Sequence, residues 1–133
     1  MYLFDTDTIS HIVKPGRSEV VLDRMATVPL DQQFTSTITL GEMIYGAYKS
    51  SRPQYHIHQL TEHILPHVHV LPFDGSAAEM YGEIRAGLER AGMPLVEADL
   101  RIASIALSRG LILVTGNTRH FSRVPRLRVE NWM

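Results

Sequence analysis

The sequence has 133 residues, of which 44% are hydrophobic and 20% are charged, and its formal net charge is −1. This length suits a single domain over residues 1–133 with a buried core, and the composition is that of a globular protein. The absence of cysteine excludes disulfides and thiolate metal sites. No apolar run is long enough for a membrane helix and the N-terminus lacks the features of a signal peptide, so we expect a cytoplasmic protein without membrane contact.

The charges are unevenly distributed along the chain. Acidic residues outnumber basic ones before residue 100, whereas residues 100–133 contain six arginines and a single acid, Glu130. A basic segment beside acidic residues can guide a polyanion toward a metal. A solvated, salt-bridged surface is the simpler explanation for most individual arginines.

Short apolar strands alternate with amphipathic helices, which predicts a mainly parallel sheet covered by helices. In the first half of the chain we expect, in order, a strand over residues 2–4, a helix over about 6–13 that stops at Pro15 and Gly16, a helix capped by Ser18 that runs to about residue 27, a strand over 33–37, and a helix to about residue 49 that is opened by a capping box from Thr39 to Glu42.

The second half continues this alternation. We expect a helix from Pro53 to near Pro66, a strand over 68–73, a long helix capped by Asp74 or Ser76 that runs to about residue 91, a buried helix over 97–109, a buried strand over 111–114, and a short strand over 127–130. Glycines at positions 92 and 110 end the two helices that precede them. The whole pattern predicts an α/β fold with one central sheet.

Several acidic residues fall near the predicted carboxyl ends of strands, where open parallel sheets bind their ligands. Asp5 directly follows the first strand, and Glu42 lies at the start of the helix after the second. Asp99 lies in the first turn of the helix that leads into the strand over 111–114, so it can reach the same edge. The sequence therefore predicts that these three carboxylates converge.

Each acid alone also has a purely structural explanation: Asp5 as a helix cap, Glu42 as the end of a capping box, and Asp99 as a first-turn carboxylate. Their coincidence at one sheet edge favours a shared role. Two carboxylates about 4 Å apart repel by roughly 4 kcal/mol at an effective dielectric of 20, so a cluster of three requires a cation or raised pKa values. With oxygen ligands and no thiol, that cation would be Mg²⁺ or Mn²⁺, which serve phosphodiester hydrolysis.

Two alternatives concern other polar residues. Asp5-Thr6-Asp7 after an apolar strand also resembles the first motif of haloacid-dehalogenase-type phosphatases, but the catalytic lysine and the downstream Gly-Asp pair of that family are not evident.

Five histidines between His56 and His69 lack the spacing of a zinc-binding helix. They are interpreted as part of a polar, half-exposed surface.

Four segments in order resemble the VapC-type toxins of the PIN-domain ribonuclease family: YLFDTD at 2–7, TITLGEMIYGA at 37–47, ADLRIA at 98–103 and LVTGNTRHF at 113–121, followed by Val-Pro at 124–125 and VENW at 129–132. Together they span nearly the whole chain. The resemblance implies a PIN-like α/β/α sandwich, Mg²⁺-dependent endonuclease action on RNA, a VapB-type antitoxin partner and homodimerisation.

The resemblance also implies residue roles. Water activated by the metal would attack the scissile phosphate in line, with Asp5 and Asp99 as principal ligands and Glu42 binding a second metal or orienting the water. Supporting contacts to the site are expected from Thr6, Asp7, Thr115 and Asn117. Candidates for holding the RNA phosphates are Arg119, Arg123 and Arg126.

This chain departs from the family pattern at two places. Asp7 stands where many relatives have asparagine, which adds an acid near the site. Asn117 and His120 stand where a fourth acid is often found, so the metal would be held by three carboxylates. The rival interpretation is a non-catalytic PIN-like module that binds only protein or RNA, and the presence of all three acids argues against it.

Overall fold

The computed structural model describes residues 1–14 and 19–133, so the predicted helix stop at Pro15 and Gly16 and the predicted cap Ser18 lie outside the described residues. One parallel sheet has the strand order β3-β2-β1-β4-β5. Its strands are β1 (Tyr2–Phe4), β2 (Gln33–Ser36), β3 (His69–Leu71), β4 (Ile112–Val114) and β5 (Val129–Glu130). The predicted α/β fold with a central parallel sheet is confirmed.

Helices cover both faces of this sheet. Those of the described residues are α1 (Thr6–Val13), α2 (Glu19–Ala26), α3 (Thr37–Lys49), α4 (Pro53–Gln59), α5 (Gly75–Arg90), α6 (Glu97–Ser108) and the short α7 (Thr118–Phe121). None of the helices in this part of the chain is long and apolar enough to cross a membrane.

Alternate residues of the central strands face opposite sides of the sheet, as the period of a strand requires. Leu3 and Leu113 pack with α5 and α6, whereas Phe4 and Val114 pack with α1, α2 and Trp132. All four strand side chains are fully buried. Two apolar layers therefore hold β1 and β4 in place, and this packing fixes the position of their carboxyl ends.

The start of α3 differs from the prediction. The cap is Ser36, whose hydroxyl oxygen accepts a hydrogen bond from the Thr39 backbone N–H at 3.0 Å. The predicted capping box from Thr39 to Glu42 is wrong, because Ser36 pairs with Leu71 as the last residue of β2 and the helix begins directly after it. Glu42 is consequently in the second turn of α3 and its carboxylate is free of a capping role.

Other element ends also differ from the predictions. The helix expected from Pro53 to near Pro66 is α-helical only to Gln59 and continues as a π-helical turn over Leu60–Ile64 and a 3₁₀ turn over Leu65–His67. Strand β3 ends before Pro72, which has no N–H to give to a neighbouring strand. Of the two proposed caps of α5, Asp74 is the one that accepts from the Ala77 N–H, at 3.0 Å.

Strand β5 is shorter than predicted at its beginning. Arg126 adopts a positive φ of 68°, and the Leu127 N–H bonds to the Val124 carbonyl at 3.4 Å. Strand β5 therefore begins at Val129, although the Arg128 carbonyl already accepts a hydrogen bond from the Leu113 N–H of β4 at 2.9 Å. Strand β4 likewise begins at Ile112 rather than at 111, and α6 ends at Ser108 before Gly110, which has a φ of 65°.

The cap of α3 gives a first testable prediction. Ser36→Ala should lower the free energy of unfolding by about 1 kcal/mol, because the Thr39 N–H loses its acceptor in a buried position. The matched control is Thr37→Ala, at the exposed first position of the helix, which should change stability by less than about 0.5 kcal/mol. Urea denaturation of both variants measures the difference. Equal stabilities would mean that Ser36 does not cap α3.

Candidate active site

An open depression of about 620 Å³ lies at the carboxyl edge of the sheet. It is bounded by the residues that follow β1 and β4, by the second turn of α3 and by the first turn of α6. The residues that line it include four acids, Asp5, Asp7, Glu42 and Asp99, together with Thr6 and Asn117. The structure thus brings the three predicted carboxylates to one concave surface, although their catalytic roles stay a prediction.

Asp5 is the buried acid of this depression, with 4% of its surface exposed. It is the N-cap of α1, and its Oδ1 accepts a hydrogen bond from the Thr8 N–H at 2.8 Å. Burial raises the pKa of Asp5, and the hydrogen bonds from Thr115 and Thr8 oppose that rise. The capping role that its position suggests is therefore real, and it fixes the carboxylate with one side toward the depression.

Asp99 is the third residue of α6 and is half-buried. Burial raises the pKa of Asp99, the nearby His120 lowers it, and the charges of Glu42 and Asp7 raise it further. His120 donates from Nε2 to Asp99 Oδ2 at 3.0 Å. A second carboxylate is thus held beside other acids, and one of its oxygens already has a defined partner.

Glu42 is an exposed acid at the rim of the depression, as is Asp7. The Thr6 hydroxyl donates to Glu42 Oε1 at 2.6 Å, and the Thr6 and Thr39 hydroxyl oxygens lie 3.1 Å apart. Thr39 is buried beneath this contact. Thr6 therefore links the start of α1 to an acid on α3, which agrees with the supporting position expected for it.

Residues 115–117 form the side of the depression that follows β4. The buried Thr115 accepts a hydrogen bond from the Asn117 backbone N–H at 2.9 Å, and its side chain also bonds to Asp5. Gly116 lies so close to its neighbours that a β-carbon there would collide with the Met133 side chain and lie 2.6 Å from Asp7 Oδ2. Glycine at this position therefore leaves room for Asp7 at the edge of the site.

The three arginines predicted to bind RNA lie outside the lining of the depression. Arg123 donates to the Pro94 carbonyl at 3.3 Å, and Arg126 forms an exposed ion pair with Glu83 at 3.4 Å. Arg119 is exposed on α7. Contact with an RNA chain that extends beyond the depression stays a prediction for these residues.

The sequence considered alone missed three residues at or beside this site. Ser10 on α1, and Lys14 directly after the end of α1, line the depression. His120 lies on α7, which has four residues and is too short to show helical periodicity in the sequence. Its position three residues after Asn117, the residue that precedes α7, is the signal that would have placed it at the same edge.

The donor chemistry of the site fits a hard divalent cation. The carboxylates of Asp5 and Asp99 face one depression, where burial, with a smaller contribution from neighbouring acids, raises the pKa of each. Within residues 1–14 and 19–133, no three His, Asp or Glu side chains are close enough to enclose an ion. An ion of the Mg²⁺ type suits this arrangement, because it keeps several of its waters and needs only one or two carboxylates as direct ligands.

Comparison with known proteins identifies the family. The PIN domain family model matches residues 2–127. The tRNA(fMet)-specific endonuclease VapC of Salmonella typhimurium is 38% identical over 131 residues, which cover 98% of this chain and 97% of that protein. Ribonuclease VapC2 of Haemophilus influenzae is 36% identical over 132 residues, with 99% and 98% covered.

A solved structure gives the same result for the fold. The crystal structure of DNA-bound VapBC from Salmonella typhimurium contains a chain that superposes with a TM-score of 0.92 at 38% identity, and the match covers 99% of this chain and 98% of that one. The family match, the relatives and the fold agree, and they replace the haloacid-dehalogenase alternative. The chain belongs to the PIN domain family, as one of its VapC-type members.

Proposed function

We propose that this protein is a Mg²⁺-dependent endoribonuclease and the toxin of a type II toxin–antitoxin pair, with Asp5, Glu42 and Asp99 at its catalytic site. Nuclease activity is the activity of its VapC relatives. The observation that carries the residue assignment is the position of the buried Asp5 and the half-buried Asp99 in one depression. Both carboxyls have raised pKa values there, which a bound cation would offset.

The residues of this chain would hold and orient the reacting groups. The ion would be bound by Asp5, which caps α1, and by Asp99, which contacts His120. Mn²⁺ is the alternative to Mg²⁺ as this ion. When bound, such an ion neutralises charge on the phosphate and lowers the pKa of water. Glu42, oriented by Thr6, would position the attacking water or a second ion. Each acid is thus held by a contact that would reduce the cost of ordering it.

We further propose RNA as the substrate, a VapB-type antitoxin as the partner, homodimerisation, and action in the cytoplasm. Two relatives are named tRNA(fMet)-specific endonucleases, which makes initiator tRNA the first substrate to test. Solved VapBC assemblies support the antitoxin partner. Such a partner would inhibit most directly by placing a cationic side chain among the acids, because this offsets their repulsion as a metal does.

The test is cleavage of purified initiator tRNA by the purified protein. Cleavage should require added Mg²⁺ or Mn²⁺, stop in excess EDTA, and return when Mg²⁺ is restored, because the acid cluster can stabilise phosphate charge only with a cation present. An elongator tRNA is the matched substrate control, and the Asp99→Asn protein prepared in parallel controls for contaminating nuclease. Undiminished cleavage in EDTA would contradict the proposed metal dependence, and loss of all cleavage under every metal would contradict the nuclease function itself.

A further inference from the structure

Three large aromatic side chains are exposed on the helices next to the depression. Tyr45 and Tyr48 on α3 have 65% and 64% of their surface exposed, and Tyr55 on α4 has 42%. In the described part of the chain these are the tyrosines with the largest exposure, and they fall within eleven consecutive residues. Exposed aromatic rings grouped in this way favour a binding surface over a packing role.

The segment that carries these rings contains positive charges and no acidic residue. The chain has no acidic residue between Met43 and Thr61 but includes Lys49 and Arg52. Lys49 Nζ lies 5.8 Å from the centre of the Tyr45 ring, and Arg52 Cζ lies 4.1 Å from the centre of the Tyr55 ring. Neither cation forms an ion pair with any residue that the structure describes. Both charges are thus available to an anionic partner.

This surface is continuous with the proposed catalytic site. Tyr45 and Lys49 follow Glu42 on α3 by three and seven residues, which places them on the same side of the helix. The rise of an α-helix sets them about 4.5 and 10.5 Å beyond Glu42 along its axis. A chain that passes over Glu42 and continues along α3 therefore meets an aromatic ring and then a cation.

We propose that Tyr45, Tyr48 and Tyr55, with Lys49 and Arg52, bind the single-stranded RNA that flanks the scissile phosphate. This surface, the tyrosine face, would stack unpaired bases on its rings and hold phosphates with its two cations. The inference deepens the proposed nuclease function and rests on it. It assigns RNA contact to α3 and α4, in addition to the arginines of residues 119–126.

The composition of the tyrosine face favours RNA over a protein partner. Unpaired bases stack on aromatic side chains and on arginine guanidinium groups, and they do so without strong sequence preference. The core of a protein–protein interface is depleted in charge. Here each of two rings carries a cation above it, and no acid is present in the segment to pair with that cation. A polyanion complements this arrangement, whereas an apolar protein surface would leave the two charges buried and unpaired.

The experiment measures binding of a labelled single-stranded RNA of about 12 nucleotides to the full chain by fluorescence anisotropy in EDTA, where the proposed cleavage does not proceed. Tyr45→Ala and Tyr48→Ala should each weaken binding about tenfold, because each removes a stacking platform. Tyr45→Phe and Tyr48→Phe are the matched controls and should stay within about twofold, since the ring remains. Both positions are exposed, so the melting temperature of all four variants should be unchanged.

The cations are tested by salt dependence. The Lys49→Gln, Arg52→Gln double variant should reduce the slope of log affinity against log salt by about 1.4, the value for two phosphate contacts on a single strand. Arg109→Gln is the control cation, because it pairs with Asp74 at the opposite end of α6 from Asp99. Its slope should equal that of the unaltered protein.

The outcomes separate this inference from the proposed function. Unchanged RNA affinity in both alanine variants of a protein that cleaves RNA would overturn the tyrosine face alone. If the protein never cleaves RNA but its RNA binding depends on the tyrosines, RNA binding by the tyrosine face stands and the nuclease proposal is overturned. A third outcome is tested by sedimentation velocity, which measures self-association. If the alanine variants self-associate more weakly but bind RNA as tightly as the unaltered protein, the tyrosine face is an interface between two copies of the chain. The inference would then be wrong.

Discussion

Asp5→Asn is expected to lower RNA cleavage by about a thousandfold while leaving the fold intact. A metal ion at such a site contributes several kcal/mol to the transition state, and about 4 kcal/mol corresponds to that factor. Asparagine keeps an oxygen that can still accept the hydrogen bond from Thr8, so α1 keeps its cap. The substitution therefore removes charge from the site without removing a structural contact.

The same variant should be more stable than the unaltered protein in the absence of metal. Because burial raises the pKa of Asp5 above 3.8, the folded state binds its proton more tightly than the unfolded state. This group therefore destabilises the fold as pH rises from about 3.8 through the raised folded pKa, and Asn at this position does not. Thermal melts in EDTA at neutral and acidic pH should show the largest gain for the variant at neutral pH.

Added Mg²⁺ is expected to reverse this order of stability. At a Mg²⁺ concentration about 100 times its Kd, the unaltered protein should gain about 2.7 kcal/mol, and Asp5→Asn should gain much less. Asp31→Asn is the matched control, because Asp31 is exposed at the opposite end of β2 from the depression. Near-normal cleavage by Asp5→Asn, or an equal Mg²⁺ stabilisation in both proteins, would show that Asp5 does not bind the ion.

The sequence predicted most of the fold because hydrophobic periodicity and strand length reflect the two-sided core. Strand β1 and helix α1 have the predicted bounds, and the buried character of α6 is confirmed. The start of α3 could not be predicted locally, since both Ser36 and Thr39 are good caps. Ser36 is the cap because it pairs with Leu71 as the last residue of β2, and this contact joins residues far apart in the chain.

The candidate site was predictable to the extent that it follows from topology. Carboxyl ends of parallel strands meet at one edge, so Asp5 and residues 115–117 could be placed together from the sequence. The contact of His120 with Asp99 could not, because it depends on the docking of a four-residue helix onto α6. The burial that raises the pKa of Asp5 is likewise a property of the packed protein and not of the motif.

His120→Ala is expected to weaken Mg²⁺ binding and RNA cleavage by about 10- to 100-fold. Residues that orient a metal ligand typically contribute this much, and His120 holds Asp99 Oδ2 at 3.0 Å. Because His120 also lowers the pKa of Asp99, its removal would leave this carboxyl with a pKa raised further and less able to bind a cation. Calorimetric titration with Mg²⁺ in the absence of RNA measures the affinity directly, and His58→Ala, an exposed histidine on α4, is the control.

A double-mutant cycle shows whether His120 acts through Asp99. Asp99→Asn alone should lower cleavage about a thousandfold, and adding His120→Ala to it should cost little more, since the orienting contact no longer has a metal ligand to orient. If the double variant instead loses activity by the product of the two single-variant factors, His120 has a separate role in the reaction. Tighter Mg²⁺ binding by His120→Ala would contradict the positioning role outright, because it would mean that the imidazole competes with the ion for the carboxylate of Asp99.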